Sequence, residues 1–143
     1  MSLNLLKLCV GAESVEDLEG WIAERMAARR AAGQPEEQIH TTRMAPKRGD
    51  ELLAGGSLFW VIKGGIQCRQ RLVDLRLFTD AEGIGRCNLV LEPVVRRTEW
   101  QPRRPFQGWR YLQAADAPAD LGEGGDAAMP APLRRELAEL GLL

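Results

Sequence analysis

Histidine is nearly missing from this sequence: His40 is the single one in 143 residues. Tyrosine also occurs once, at Tyr111, and lysine three times, at Lys7, Lys47 and Lys63. Cys9, Cys68 and Cys87 are odd in number and widely spaced, with no C-x-x-C pair. One histidine and three scattered cysteines exclude the usual zinc layouts and argue against a disulfide framework. Free, buried thiols in a reducing compartment follow, which makes the cytoplasm the expected location. No metal and no cofactor is expected. No stretch approaches the ~20 apolar residues of a membrane span. Residues 3–10 are interrupted by Asn4 and Lys7 and lack a basic leader, so they do not read as a signal peptide.

What is present is ordinary in amount and uneven in placement. Hydrophobic residues make up 45% and charged residues 27%, so the chain can form a core. The net charge is only −1, yet residues 43–110 carry 13 basic and 7 acidic side chains. The two flanks, 1–42 and 111–143, are acidic, with net charges of −3 and −4. Sixteen of the 19 cations are arginine. Arginine suits bidentate phosphate or carboxylate contacts and stacking on rings, although a GC-rich genome would raise its count with no function attached.

Residues 3–10 read as a buried strand that Gly11 ends. Ser14 is a good helix N-cap with Asp17 three residues on, and Val15, Leu18, Ile22 and Met26 recur at helical spacing. Gly33 and Pro35 stop that helix. A short polar strand is expected over 39–44, a short helix over 47–53 and a strand over 57–63. Gly64-Gly65 is either a tight hairpin turn or a bend in one long strand. Ile66, Cys68 and Leu72 share one phase, whereas Val73, Leu75 and Leu77 share the other. A one-residue phase flip inside a strand predicts a β-bulge. Residues 86–91 and 94–100 return as its partner, broken at Pro93, and 106–112 form a last strand.

The expected fold is α+β: a bent antiparallel sheet or small β-barrel, one main N-terminal helix and short accessory helices. Residues 1–121 form the domain. Residues 122–143 form an Ala/Gly/Pro-rich tail, with a short helix around Leu133, Leu137 and Leu140. The blocks LNLLKLCVG (3–11), TRMAPK (42–47), GGSLFWVIKGGIQCRQ (55–70) and RRPFQGWRYL (103–112) together resemble an uncharacterised bacterial family, "domain of unknown function 1489". The resemblance extends to about Leu121. It implies a single domain and carries no activity or site residue. The order of elements is also similar to PUA-like barrels, many of which bind RNA, an analogy of fold alone.

The strongest constellation is basic and aromatic. Arg43, Lys47 and Arg48 precede the glycine turn, Lys63, Arg69 and Arg71 follow it, and Arg103, Arg104 and Arg110 return near Trp100, Phe106 and Trp109. Nucleic-acid binding needs cations for phosphates and flat rings for bases, so RNA is the expected partner, with Trp109 or Trp60 stacking. Core burial of Trp60 and ordinary solvation of the arginines are the plain alternatives. The glycine pairs fit no phosphate-loop pattern, and the acidic pairs have no calcium-loop spacing. A protein-interaction module using the acidic ends and the helix near 133–140, in which case self-association follows, is a second class of function. An enzyme on a small anionic substrate is the third, with His40 or a neighbouring threonine moving a proton.

Overall fold

The computed structural model describes residues 2–121. The tail and its expected helix near Leu133 lie outside the described residues. Strand β1 (Asn4–Leu8) leads into helix α1 (Val15–Ala31), and the expected capping is present. The Ser14 hydroxyl accepts the Asp17 N–H, and the Asp17 carboxylate accepts the N–H of Glu13. At the other end Gly33 adopts a positive φ of 71°. The amides of Gly33 and Gln34 close back on the carbonyls of Arg30 and Arg29, satisfying carbonyls the helix leaves open. Val15, Leu18, Ile22 and Met26 are buried, as their spacing predicts.

Strand β2 (Gln38–Thr42), helix α2 (Gly49–Leu53) and strand β3 (Ser57–Ile62) follow. A two-residue turn then feeds β4 (Gly65–Thr79). The turn residues are Lys63 and Gly64, both at positive φ, not Gly64-Gly65. Such a left-handed pair matches the twist of a hairpin. Gly65 serves packing instead, because a Cβ there would collide with the Trp100 indole.

Strand β4 is long and bent. Its first half pairs with β3, its second half with β5 (Gly85–Leu91). Strand β6 (Arg96–Pro102) takes over the β5 edge beyond the break at Pro93. The register slips between Leu72 and Asp74, leaving Val73 as the extra residue of a bulge, 53% exposed. The phase flip in the sequence marks that bulge. A second irregularity, at Gln67, carries no such mark.

Strand β7 (Trp109–Leu112) closes the list, followed by a 3-10 turn at Ala114–Asp116. The strand order is β2-β5-β4-β3-β1-β7, with β6 beside β4. Two expectations change here. The sheet is mixed, because β1 and β3 run parallel as a crossover through α1, β2 and α2 requires, and it is not closed into a barrel. Both faces are covered. The larger core, including Leu5, Leu58, Trp60 and Leu89, lies towards α1. Leu6, Phe59, Val61, Ile66 and Leu112 form a second core with Phe106 and Ala117. Strand β3 is buried at all six positions, which is why its sequence runs apolar without alternation.

The curved sheet brings its ends near each other. Strands β2 and β1 stand four places apart in the ladder, yet residues of both line one small cavity that α1 also walls. All three cysteines are free and buried.

Candidate anion-binding surface

On the second face, where residues 102–116 wrap over the sheet, the ring of Phe106 and strand β7 meet the small core. Leu6 and Leu112 form an apolar floor there, and Arg103, Arg104 and Arg110 stand round it, in a hollow of about 700 Å³. An adjoining shallow hollow of about 410 Å³ shares Arg103 and Arg104 and adds Lys63 and Trp100. Four of the predicted cations thus converge beside three aromatic rings, Phe106, Tyr111 and Trp100.

Each is held by a local cause. Pro102 and Pro105 flank the two arginines and restrict the backbone there. Arg103 donates from Nε and Nη2 to the Gln101 Oε1, at 3.2 and 2.9 Å. The Arg110 guanidinium lies 4.6 Å from the Phe106 ring centre, a cation–π contact, and Asp116 is the one acidic residue lining the same hollow. Lys63 is ion-paired with Glu13. Arg103, Arg104 and Arg110 have no ion-pair partner among the described residues.

Tyr111 links this hollow to the far side of β7. Its hydroxyl accepts the backbone N–H groups of Lys47 and Arg48, at 3.0 and 3.2 Å. The Arg48 guanidinium sits over its ring and is paired with Glu51, the first cause of a pKa raised above the usual arginine value. Trp109 packs edge-on against Tyr111, and its Nε1–H donates to the Met44 carbonyl at 2.7 Å. Lys47, Arg48 and Trp109 therefore border the surface round the edge strand.

Three predicted residues are elsewhere. Trp60 is 2% exposed, with its Nε1–H donated to Gln70 at 2.9 Å, so neither ring face is open to a base. Arg69 is clamped by Asp120 through two bonds of 2.8 and 2.7 Å, which raise its pKa, and it also donates to Ser57. Arg43 lines a separate hollow with Leu77, Phe78 and Arg86, at the far end of the β4–β5 ribbon.

Thr41 points to the opposite face of β2 from His40 and donates to Asn88, while Thr42 donates to the Met44 carbonyl. His40 turns inward, edge-on to Trp60 at 5.2 Å between ring centres. It lines the cavity between β1, β2 and α1, where Lys7, Arg25 and Gln38 also converge. Composition gave no hint of that second place. One signal was available: Lys7 shares the strand phase of Leu5 and Cys9, so it points inward.

No described helix is long and apolar enough to cross a membrane. No set of three His, Cys, Asp or Glu side chains among the described residues could hold a metal ion. Searches among curated proteins and among solved structures return no match. A match to the family described as "Protein of unknown function (DUF1489)" spans residues 5–143, continuing through the tail beyond Leu121, where the resemblance was expected to end. The chain belongs to that family.

Proposed function

We propose that the protein binds RNA, in single-stranded form, across the hollow of Arg103, Arg104, Arg110 and Lys63. The observation that carries this reading is the sharing of Arg103 and Arg104 by two adjoining concavities, each with an aromatic ring at its wall. Phosphate binding needs cations that are not already neutralised, and three of these four have no carboxylate partner among the described residues. Trp100, half-buried, takes the stacking role expected of Trp60, while the Phe106 ring carries the Arg110 guanidinium. Lys47 and Arg48 extend the path round β7. The arrangement is compatible with the PUA-like analogy in its element order, although the sheet here stays open. Three free thiols fit a cytoplasmic setting. The competing interaction module depends in part on residues outside the described ones, the helix near 133–140 among them.

The test is a fluorescence-anisotropy titration of the full chain with a labelled mixed-sequence single-stranded RNA. Duplex RNA and single-stranded DNA serve as comparisons. Three or four phosphate contacts on a single strand give a slope of about −0.7 per contact in log K against log salt. Affinity in the micromolar range would then fall roughly 20- to 50-fold between ~50 and ~200 mM salt. The triple change Arg103→Ala, Arg104→Ala, Arg110→Ala is expected to flatten that slope. Absence of salt-dependent binding to any of the three nucleic acids removes the reading.

A further inference from the structure

Besides its cations, rings and apolar floor, the hollow beside β7 is lined by two further polar side chains, Gln113 and Asp116. Both residues are exposed. They bracket the 3-10 turn after β7, where the Asp116 N–H donates to the Gln113 carbonyl at 3.0 Å and so holds the two next to each other. Neither side chain has a hydrogen-bond or ion-pair partner among the described residues. Gln101 fixes where they stand. Its Oε1 accepts from Arg103, and its Nε2 donates to the Asp116 carbonyl at 3.0 Å. One amide thus ties a guanidinium of the hollow to the turn that carries Asp116.

A carboxylate repels phosphate, so on a surface built for phosphates alone Asp116 is a defect. It becomes useful where the ligand brings N–H donors, because a carboxylate only accepts. Bases splayed out of a single strand offer their Watson–Crick edges. Uracil presents one N–H between two carbonyls. Adenine and cytosine each present an amino group beside a bare ring nitrogen. On all three a carboxylate meets an acceptor next to its donor. Guanine presents two donors side by side, N1–H and N2–H, spaced as the two oxygens of a carboxylate are. Its O6 acceptor lies next to them, and the Gln113 amide can donate to it.

We propose that Asp116 and Gln113 make this surface select guanine. Asp116 accepts N1–H and N2–H of an unpaired guanine, and Gln113 donates to O6. The base lies against the Arg110 guanidinium that the Phe106 ring carries. Arg103 and Arg104 hold the neighbouring phosphates. Guanine selection rests on the RNA-binding reading of the same hollow and adds a base to it.

The test is a fluorescence-anisotropy titration of the full chain with labelled single-stranded RNAs about eight nucleotides long. One strand is all uracil, and the others carry one central guanine, inosine, adenine or cytosine. The guanine strand is expected to bind about tenfold more tightly than the uracil, adenine and cytosine strands, the order that one bidentate pair discriminates. Inosine lacks the N2 amino group and should lose most of that gain. Asp116→Asn should abolish the guanine preference and leave the all-uracil strand bound equally or more tightly, because a negative charge has left the hollow. Gln113→Leu should weaken the guanine strand about threefold and leave the uracil strand unchanged. Both side chains are exposed, so both variants should unfold at the parent's midpoint. Equal, salt-dependent binding of all strands by the parent overturns guanine selection and spares the RNA surface. Inosine bound as tightly as guanine overturns it as well, as does a preference that survives Asp116→Asn. A loss on Asp116→Asn that is the same for every RNA strand, with single-stranded DNA unaffected, overturns it by assigning Asp116 to the ribose 2′-hydroxyl. No salt-dependent binding of any strand removes the RNA surface and guanine selection with it.

Discussion

The wide hollow beside β7 and the narrower cleft under α1 are both lined by cations and aromatic rings, and they use them differently. At the hollow the guanidinium groups stand in water, braced by Gln101 or Phe106, and their ordering costs the fold little. Under α1 the Gln38 Oε1 and His40 Nε2 atoms are buried and unpaired. Burial lowers the Lys7 pKa as well as that of His40. An unpartnered group in such a place costs stability, about 1–3 kcal/mol for a neutral donor or acceptor. A surface arginine without a partner costs almost nothing. The hollow is thus a place where function is free of folding, and the cleft a place where polar groups weigh on folding.

Removing one lining side chain from each should break the symmetry most visibly. Trp60→Ala deletes a side chain buried in the main core together with its bond to Gln70, and an expected loss of about 3–5 kcal/mol follows. Arg104→Ala, in the hollow, should stay within ~0.5 kcal/mol of the parent. Urea unfolding followed by circular dichroism measures both. Equal losses would show that the hollow is as much a part of the folded core as the cavity.

The next contrast is in pH. His40 titrates near 4 when folded and near 6.5 when unfolded, so between those values the unfolded chain binds the extra proton. Stability is therefore complete above about pH 6.5 and is lost as pH falls towards 4. The charged groups facing the imidazole are Lys7 and Arg25, and both oppose its protonation. From about pH 7 to about pH 5 the loss should be about 2 kcal/mol. His40→Asn should flatten that part of the profile. A parent profile that is already flat above pH 5 means that the imidazole is charged in the folded state, and the cavity is wetter than its geometry implies.

The same contrast explains what could be read from the sequence. The helix over Val15–Ala31 was legible because its period, N-cap and glycine stop all agree. The bulge at Val73 was legible because alternation changes phase there. Pairing of β1 with β3 was not, since a parallel crossover joins residues some fifty positions apart and leaves no local mark. Half of the hollow was visible as a run of arginines near tryptophans, but burial decides which ring is open. Trp60 sits on a strand covered on both sides, which its apolar neighbours Phe59 and Val61 did suggest. The cavity was invisible because its members come from three elements, at positions 7, 25, 38 and 40, and none stands out by type.

Charge pairing supplies the finest test of the comparison. Arg69 belongs by sequence to the basic set and lies on β4, beside β6, but Asp120 engages it through two hydrogen bonds. The arginine is mostly covered and the aspartate is half exposed, so the pair is only partly desolvated. Pairs of this kind are worth about 0.2–1 kcal/mol. A double-mutant cycle with Arg69→Ala and Asp120→Ala should return a coupling in that range and shrink at ~1 M salt as screening shortens to ~3 Å. The same cycle separates a neutralised arginine from an available one. Where the pair holds, Arg69→Ala leaves RNA affinity unchanged and Asp120→Ala raises it slightly by releasing a cation. A drop in affinity on Arg69→Ala, with no coupling to Asp120, would place Arg69 among the phosphate contacts and extend the binding surface from β7 across β6.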